Sequence, residues 1–122
     1  MNKKKDSFIV NRIKSVGFAF KGAYLLITTE ASLKVQSVIG VLMTVLGFCV
    51  GLTATEWCIQ VLIIAMVMAL EGVNTVVEEI ADFIHPEHHT KIGLIKDLAA
   101  GAVFIMAIAA VVIGCIIYIP KF

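Results

Sequence analysis

The sequence predicts an all-α integral membrane protein of one domain, residues 1–122, with three transmembrane helices preceded by an N-terminal amphipathic surface helix. Composition points there first: 60% of residues are hydrophobic and mean hydropathy is +0.99, more apolar surface than a soluble domain of this length can hide. Three apolar stretches, each close to the ~20 residues a bilayer crossing needs, supply the second observation. Net charge is only +1, so no bulk field attracts a polyanion and no nucleic-acid partner is expected.

The surface helix is expected over about residues 8–28. Ile9, Ile13, Val16, Phe20 and Tyr24 recur at spacings of three or four, one face of a helix. Arg12, Lys14 and Lys21 project elsewhere, as suits a helix in the membrane interface with its bases toward anionic headgroups. Those bases also interrupt any apolar run after Lys3, Lys4 and Lys5, so the basic start reads as part of the mature chain rather than a cleaved signal.

The first span is expected over about 34–52, broken only by Gln36, Ser37 and Thr44. Gly47 and Gly51 have the GxxxG spacing of close helix packing, and Thr53 to Glu56 read as a tight turn. The second span, about 57–82, opens on Trp57 as an interface anchor and stays apolar to Leu70 except at Gln60. Its character then changes, through Glu71, Asn74, Thr75, Glu78, Glu79 and Asp82. A polar loop from Phe83 to Gly93 carries His85, Glu87, His88 and His89. The third span, about 96–119, begins with Ala99-Ala100-Gly101-Ala102, small residues that let another helix approach. Cys49, Cys58 and Cys115 lie in or beside apolar runs without metal-ligand spacing and read as packing residues.

Orientation follows from the bases. Seven of the ten Lys and Arg precede or open the first span, and Lys91 and Lys96 lie in or beside the second connection. Positive charge on the inner side then puts the N-terminus and the histidine loop in the cytoplasm, in a multi-pass protein of the cytoplasmic membrane.

One helical stripe about 100° wide holds Glu71, Asn74, Thr75, Glu78 and Asp82, with Glu79 at its edge. Fourteen residues separate Trp57 from Glu71, about 21 Å of helix against ~30 Å of hydrocarbon. Glu71 should lie just inside the inner boundary, with Glu78 and Asp82 at or beyond it. A carboxylate at that depth faces a bundle interior or a wet cleft and is suited to act as a general base. The wetter carboxylates suit Mg²⁺. Glu30, before the first span, is on the same side, as are Lys96, which can meet phosphate oxygens, and Asp97, which can equally cap the third helix. The histidines are expected to be solvated. No GxxxxGK[ST] loop, HRD or DFG motif, or GxSxG elbow is present.

Glu71-x-x-Asn74-Thr75-x-x-Glu78-x-x-x-Asp82, then Pro86-Glu87-x-His89 and Lys96-Asp97-x-Ala99-Ala100-Gly101-Ala102-Val103, resembles the prokaryotic diacylglycerol kinase and undecaprenol kinase family. Phe18-Ala19-Phe20-Lys21-Gly22 and Glu30 fall where that family has its surface helix and a further acid. The resemblance covers nearly the whole chain. It implies a homotrimeric, three-span lipid kinase that moves the γ-phosphoryl of MgATP to a lipid hydroxyl. Position by position it implies Glu71 as general base and Glu30 and Glu78 as Mg²⁺ ligands. It further implies Glu87, His89, Lys96 and Asp97 as nucleotide contacts, with Asn74 and Asp82 in support. Where Phe18, Lys34 and Ala100 stand, the diacylglycerol kinase branch commonly has tyrosine, arginine and serine. The Pro-Glu-x-His loop and the Ala-Ala-Gly-Ala run look closer to the undecaprenol kinase branch, and both lipids stay open as acceptors. Two other classes also stay open: a small oligomeric transporter or channel using Glu71 as an ion or proton relay, and a non-catalytic membrane scaffold.

Overall fold

The computed structural model describes residues 7–122 and, among them, contains helices and no strand. The basic cluster Lys3, Lys4 and Lys5 lies outside the described residues. Helix α1 (Phe8–Thr29) starts at Ser7, whose Oγ accepts from the Val10 amide at 3.2 Å, and buries none of its residues. It ends at Glu30, a single extended residue (φ −94°, ψ 121°) between α1 and α2 (Ala31–Val50). The chain therefore bends sharply at a carboxylate.

Helix α2 stops at Gly51, whose φ of +74° is the left-handed conformation that glycine adopts without a Cβ clash. Thr53 then caps α3 (Ala54–Ile84) through a reciprocal capping box: Glu56 N donates to Thr53 Oγ1 at 3.2 Å, and Thr53 N to Glu56 Oε1 at 2.9 Å. The turn is thus Gly51 to Thr53, and Glu56 belongs to the helix rather than the turn expected for it. The Gly47/Gly51 pair is likewise split in purpose. Gly51 is the cap, while a Cβ on Gly47 would stand 2.8 Å from both Leu52 Cδ1 and Trp57 Cη2. Its smallness admits the indole of the next helix, which also lies against Phe48 with ring centroids 4.7 Å apart.

At 31 residues, α3 is about 46 Å long and runs past the hydrocarbon with the acidic stripe still helical. The connection to α4 (Thr90–Tyr118) is only His85 to His89, shorter than the loop expected, because both helices continue through its ends. His89 is the N-cap of α4. Asp97 sits two turns inside the helix and does not cap it, which corrects that expectation. A short 3₁₀ turn, Ile119–Lys121, follows.

The helices of residues 31–50, 54–84 and 90–121 are long and apolar enough to cross a membrane. Few side chains are buried in the chain, the main cluster being Leu52, Ile117 and Tyr118 with Met43, Leu46, Trp57 and Ile113 against it. Most of the large apolar residues are exposed, as expected where lipid is the solvent and gives no hydrophobic drive to bury them. Close approaches occur instead at glycines: Gly40 against Ile64, with a Cβ-to-Cγ2 distance of 3.2 Å, and Gly72 against Leu26 of α1, at 3.0 Å.

Candidate active site

The stripe on α3 is built as a graded series. Glu71 is half-buried, Asn74 is buried, and Glu78 and Asp82 are exposed. Asn74 keeps only 7% of its surface. Its Nδ2 donates to Glu78 Oε1 at 3.3 Å, one turn on, while its Oδ1 is buried with no partner. An amide oxygen left unpaired in that position is a ready acceptor for a cation or a donor group. Thr75 Oγ1 donates to the Glu71 carbonyl at 3.2 Å, so that hydroxyl is occupied by the backbone and leaves the Glu71 carboxylate alone.

Elements other than α3 frame the stripe. Gly72 lies beside Glu71, and Leu26 of α1 fills the space its missing side chain leaves. Glu30 follows Leu26 by one turn, its amide bonded to the Leu26 carbonyl at 3.1 Å. Its side chain makes no capping bond to α2 and is free for another use. From α4, Lys96 Nζ pairs with Asp82 Oδ1 at 2.5 Å, with side-chain exposures of 36% and 59%.

The connection adds an ordered histidine pair. His85 Nδ1 lies 2.8 Å from the Glu87 carbonyl, which can only accept, so this nitrogen donates. His89 Nδ1 accepts from the Lys91 amide at 3.0 Å. In neutral His89 the ring hydrogen is therefore on Nε2, a donor facing away from the cap. The two rings meet edge to face, 5.1 Å between centroids. Glu87 and Asp97 are exposed.

The chain thus joins Asn74 to Glu78 and Asp82 to Lys96. Among its described residues, no three His, Cys, Asp or Glu side chains converge as a metal cage. An apolar cleft of about 680 Å³ opens between α2, α3 and α4, with Ser32, Gln36, Val67 and Met68 toward the carboxylates and Gln60 and Tyr118 at the far end. Val67 is one turn from Glu71, so the cleft leads to the half-buried acid.

Sequence reasoning passed over three features. Gly72 is a glycine inside a long helix, a recognisable sign of close packing. Pairing of Asp82 with Lys96 needed the length of the connection. The cap by His89 had no sequence signal, since histidine is an uncommon N-cap.

Residues 17–118 match the prokaryotic diacylglycerol kinase family. The chain is 34% identical over 122 residues to the undecaprenol kinase of Bacillus subtilis, covering 99% of each chain. It is 30% identical over 111 residues to a diacylglycerol kinase of Synechocystis, covering 90% of this chain and 63% of that one. The diacylglycerol kinase of Escherichia coli K12 is 30% identical over 105 residues, covering 86% of each. A helical, membrane-crossing bundle with an acidic stripe on its second span is what these relatives share a sequence with. The chain belongs to the prokaryotic diacylglycerol kinase family. It is a multi-pass membrane lipid kinase, which sets aside the transporter and scaffold classes.

Proposed function

We propose that the protein transfers the γ-phosphoryl of MgATP to the hydroxyl of a membrane lipid, with undecaprenol preferred to diacylglycerol. One observation carries the mechanism: a single rigid helix presents half-buried Glu71 and exposed Glu78, with buried Asn74 bonded to Glu78 between them. That arrangement supports a base near the depth of a lipid hydroxyl, with oxygen ligands further out toward the water from which a nucleotide arrives. The end-to-end match to an undecaprenol kinase supports the choice of acceptor.

In this reading Glu71 accepts the proton of the lipid hydroxyl as its oxygen bonds to the γ-phosphorus and the bond to the ADP oxygen breaks. Products are the lipid phosphate and ADP, with the proton passing from Glu71 to water. Glu78 and Glu30 would hold Mg²⁺, and the donor set fits: carboxylates, plus the unpartnered Asn74 Oδ1, are the hard oxygens that Mg²⁺ takes. Bound there, the ion supplies neutralisation of phosphate charge. Asn74 orients Glu78, and Asp82 orients Lys96. Lys96 and the Nε2–H of His89 donate to phosphate oxygens, and Glu87 and Asp97 accept from the nucleotide's sugar and base. The lipid tail lies in the apolar cleft that ends one turn from Glu71. Phosphoryl transfer asks for positioning, charge neutralisation and a base, so a chain this small suffices.

The exposed apolar face of α1 rests on the inner leaflet, with the N-terminus and the His85–His89 connection in the cytoplasm. The active form is a homotrimer in which neighbouring copies complete each site. One assay tests the whole reading: protein reconstituted in lipid with labelled ATP, Mg²⁺ and each lipid alcohol in turn. Phosphorylation of undecaprenol above diacylglycerol supports it; labelling of neither lipid overturns it.

A further inference from the structure

At the end of the bundle away from the carboxylates, two polar residues are buried in an otherwise apolar interface. Gln60 of α3 keeps 6% of its surface and Tyr118 of α4 keeps 8%. Tyr118 Oη donates to Gln60 Oε1 at 2.5 Å and also lies 3.2 Å from the Met43 carbonyl of α2, which Gln60 Nε2 reaches at 3.0 Å. Three helices meet in one hydrogen-bonded knot. The kinase chemistry uses none of it.

Its spacing gives it a meaning. Gln60 to Asp82 on α3 and Lys96 to Tyr118 on α4 are both 22 residues, about 33 Å of helix. These antiparallel helices are thus cross-linked at both ends: by Asp82–Lys96 at one, and at the other by Gln60–Tyr118, beside the 3.1 Å ion pair of Glu56 with Lys121 in the turn that follows α4. Between the links α4 packs along α3 through apolar side chains, Val103 being buried there, and carries no further hydrogen bond to it among the described residues. Its glycines Gly101 and Gly114 would meet no atom within 4 Å if given a Cβ, unlike Gly40 and Gly72. Apolar contacts in lipid are not directional. The inner link is an exposed ion pair, a weak kind of constraint. The buried knot is different: a slide of one turn, about 5.4 Å, would break every bond in it and strand the partners where no water replaces them.

We propose that the Gln60–Tyr118–Met43 knot is the register pin of α4. It fixes how far α4 is slid along α3, and so sets Lys96 and Asp97 against the acidic stripe at the opposite end. The pin acts through the helices and lies far from the reacting groups.

The test separates register from stability. In a chain with Cys49, Cys58 and Cys115 changed to alanine, Asp82→Cys and Lys96→Cys are joined by a short bis-methanethiosulfonate, and the intrachain product is told from interchain products by size. Tyr118→Phe should lower the detergent concentration at which the reconstituted protein unfolds in SDS, because Gln60 loses its donor. Gln60→Leu with Tyr118→Phe removes both partners and should restore that midpoint, yet cut the intrachain cross-linking by about threefold or more, a loss of the size one interhelical hydrogen bond supports. Undiminished cross-linking in the double variant overturns the proposal. Should the double variant not fold, Tyr118→Phe alone, which removes both bonds the knot makes to α4, is read in the same way: reduced cross-linking supports the pin, full cross-linking overturns it.

Discussion

Leu26 lies where the side chain of residue 72 would be: its Cδ1 is 3.0 Å from the position of a Cβ on Gly72. This contact brings the last turn of α1 against α3 beside Glu71, and Glu30 follows it by one turn. Gly72→Ala asks only for a few tenths of an ångström from a flexible leucine end and should keep most activity. Gly72→Val adds a branched side chain facing the same atom. It should reduce turnover by about tenfold, a misplacement effect of the kind positioned sites show, with far-ultraviolet circular dichroism unchanged. Wild-type turnover in Gly72→Val would remove the contact from the site's construction.

Glu71→Gln keeps shape and removes the carboxylate proposed as the base. Turnover should fall by about 10² to 10⁴, the usual worth of a general base, while SDS resistance stays within the wild-type range. Near-full turnover would transfer the proton-accepting role to another group.

Asn74 matters through its neighbour. Asn74→Leu deletes the 3.3 Å bond to Glu78 and the unpaired Oδ1 together. The Mg²⁺ concentration for half-maximal rate should rise by about tenfold or more, as for groups that orient a metal's ligands, and excess Mg²⁺ should recover much of the rate. A lowered rate that Mg²⁺ does not rescue would point to a packing defect instead.

Lys96→Met should raise the KM for MgATP several-fold, roughly what one charge-assisted hydrogen bond contributes. Stability should hardly change, because the Asp82–Lys96 pair is largely in water. Loss of folding without a KM effect would make the pair structural.

Much of this was legible in the residues. The three spans show in composition and run length, because bilayer thickness leaves few alternatives. The order of Glu71, Asn74, Glu78 and Asp82 on one stripe follows from 3.6 residues per turn. What local pattern cannot show is contact across helices. Gln60 reads as one polar interruption in an apolar run, and only the fold brings Tyr118 to it from 58 positions away. The same holds for Leu26 and Gly72. Helix ends are less legible where a cap has more than one candidate: Thr53 with Glu56 begins α3 earlier than Trp57 suggests, and His89 starts α4 well before Asp97.

Glu71 and Glu78 are carried on one unbroken rod, so the distance between the half-buried acid, proposed to meet the lipid, and the exposed one is a fixed gauge of about 10 Å. Such a gauge cannot follow a bilayer that thins or thickens around it. Mismatch must be taken up by tilting or by deformation of the surrounding lipid, and either moves the hydroxyl plane relative to Glu71. Catalysis should therefore peak at one acyl-chain length and decline on both sides, making membrane thickness itself an effector of the enzyme.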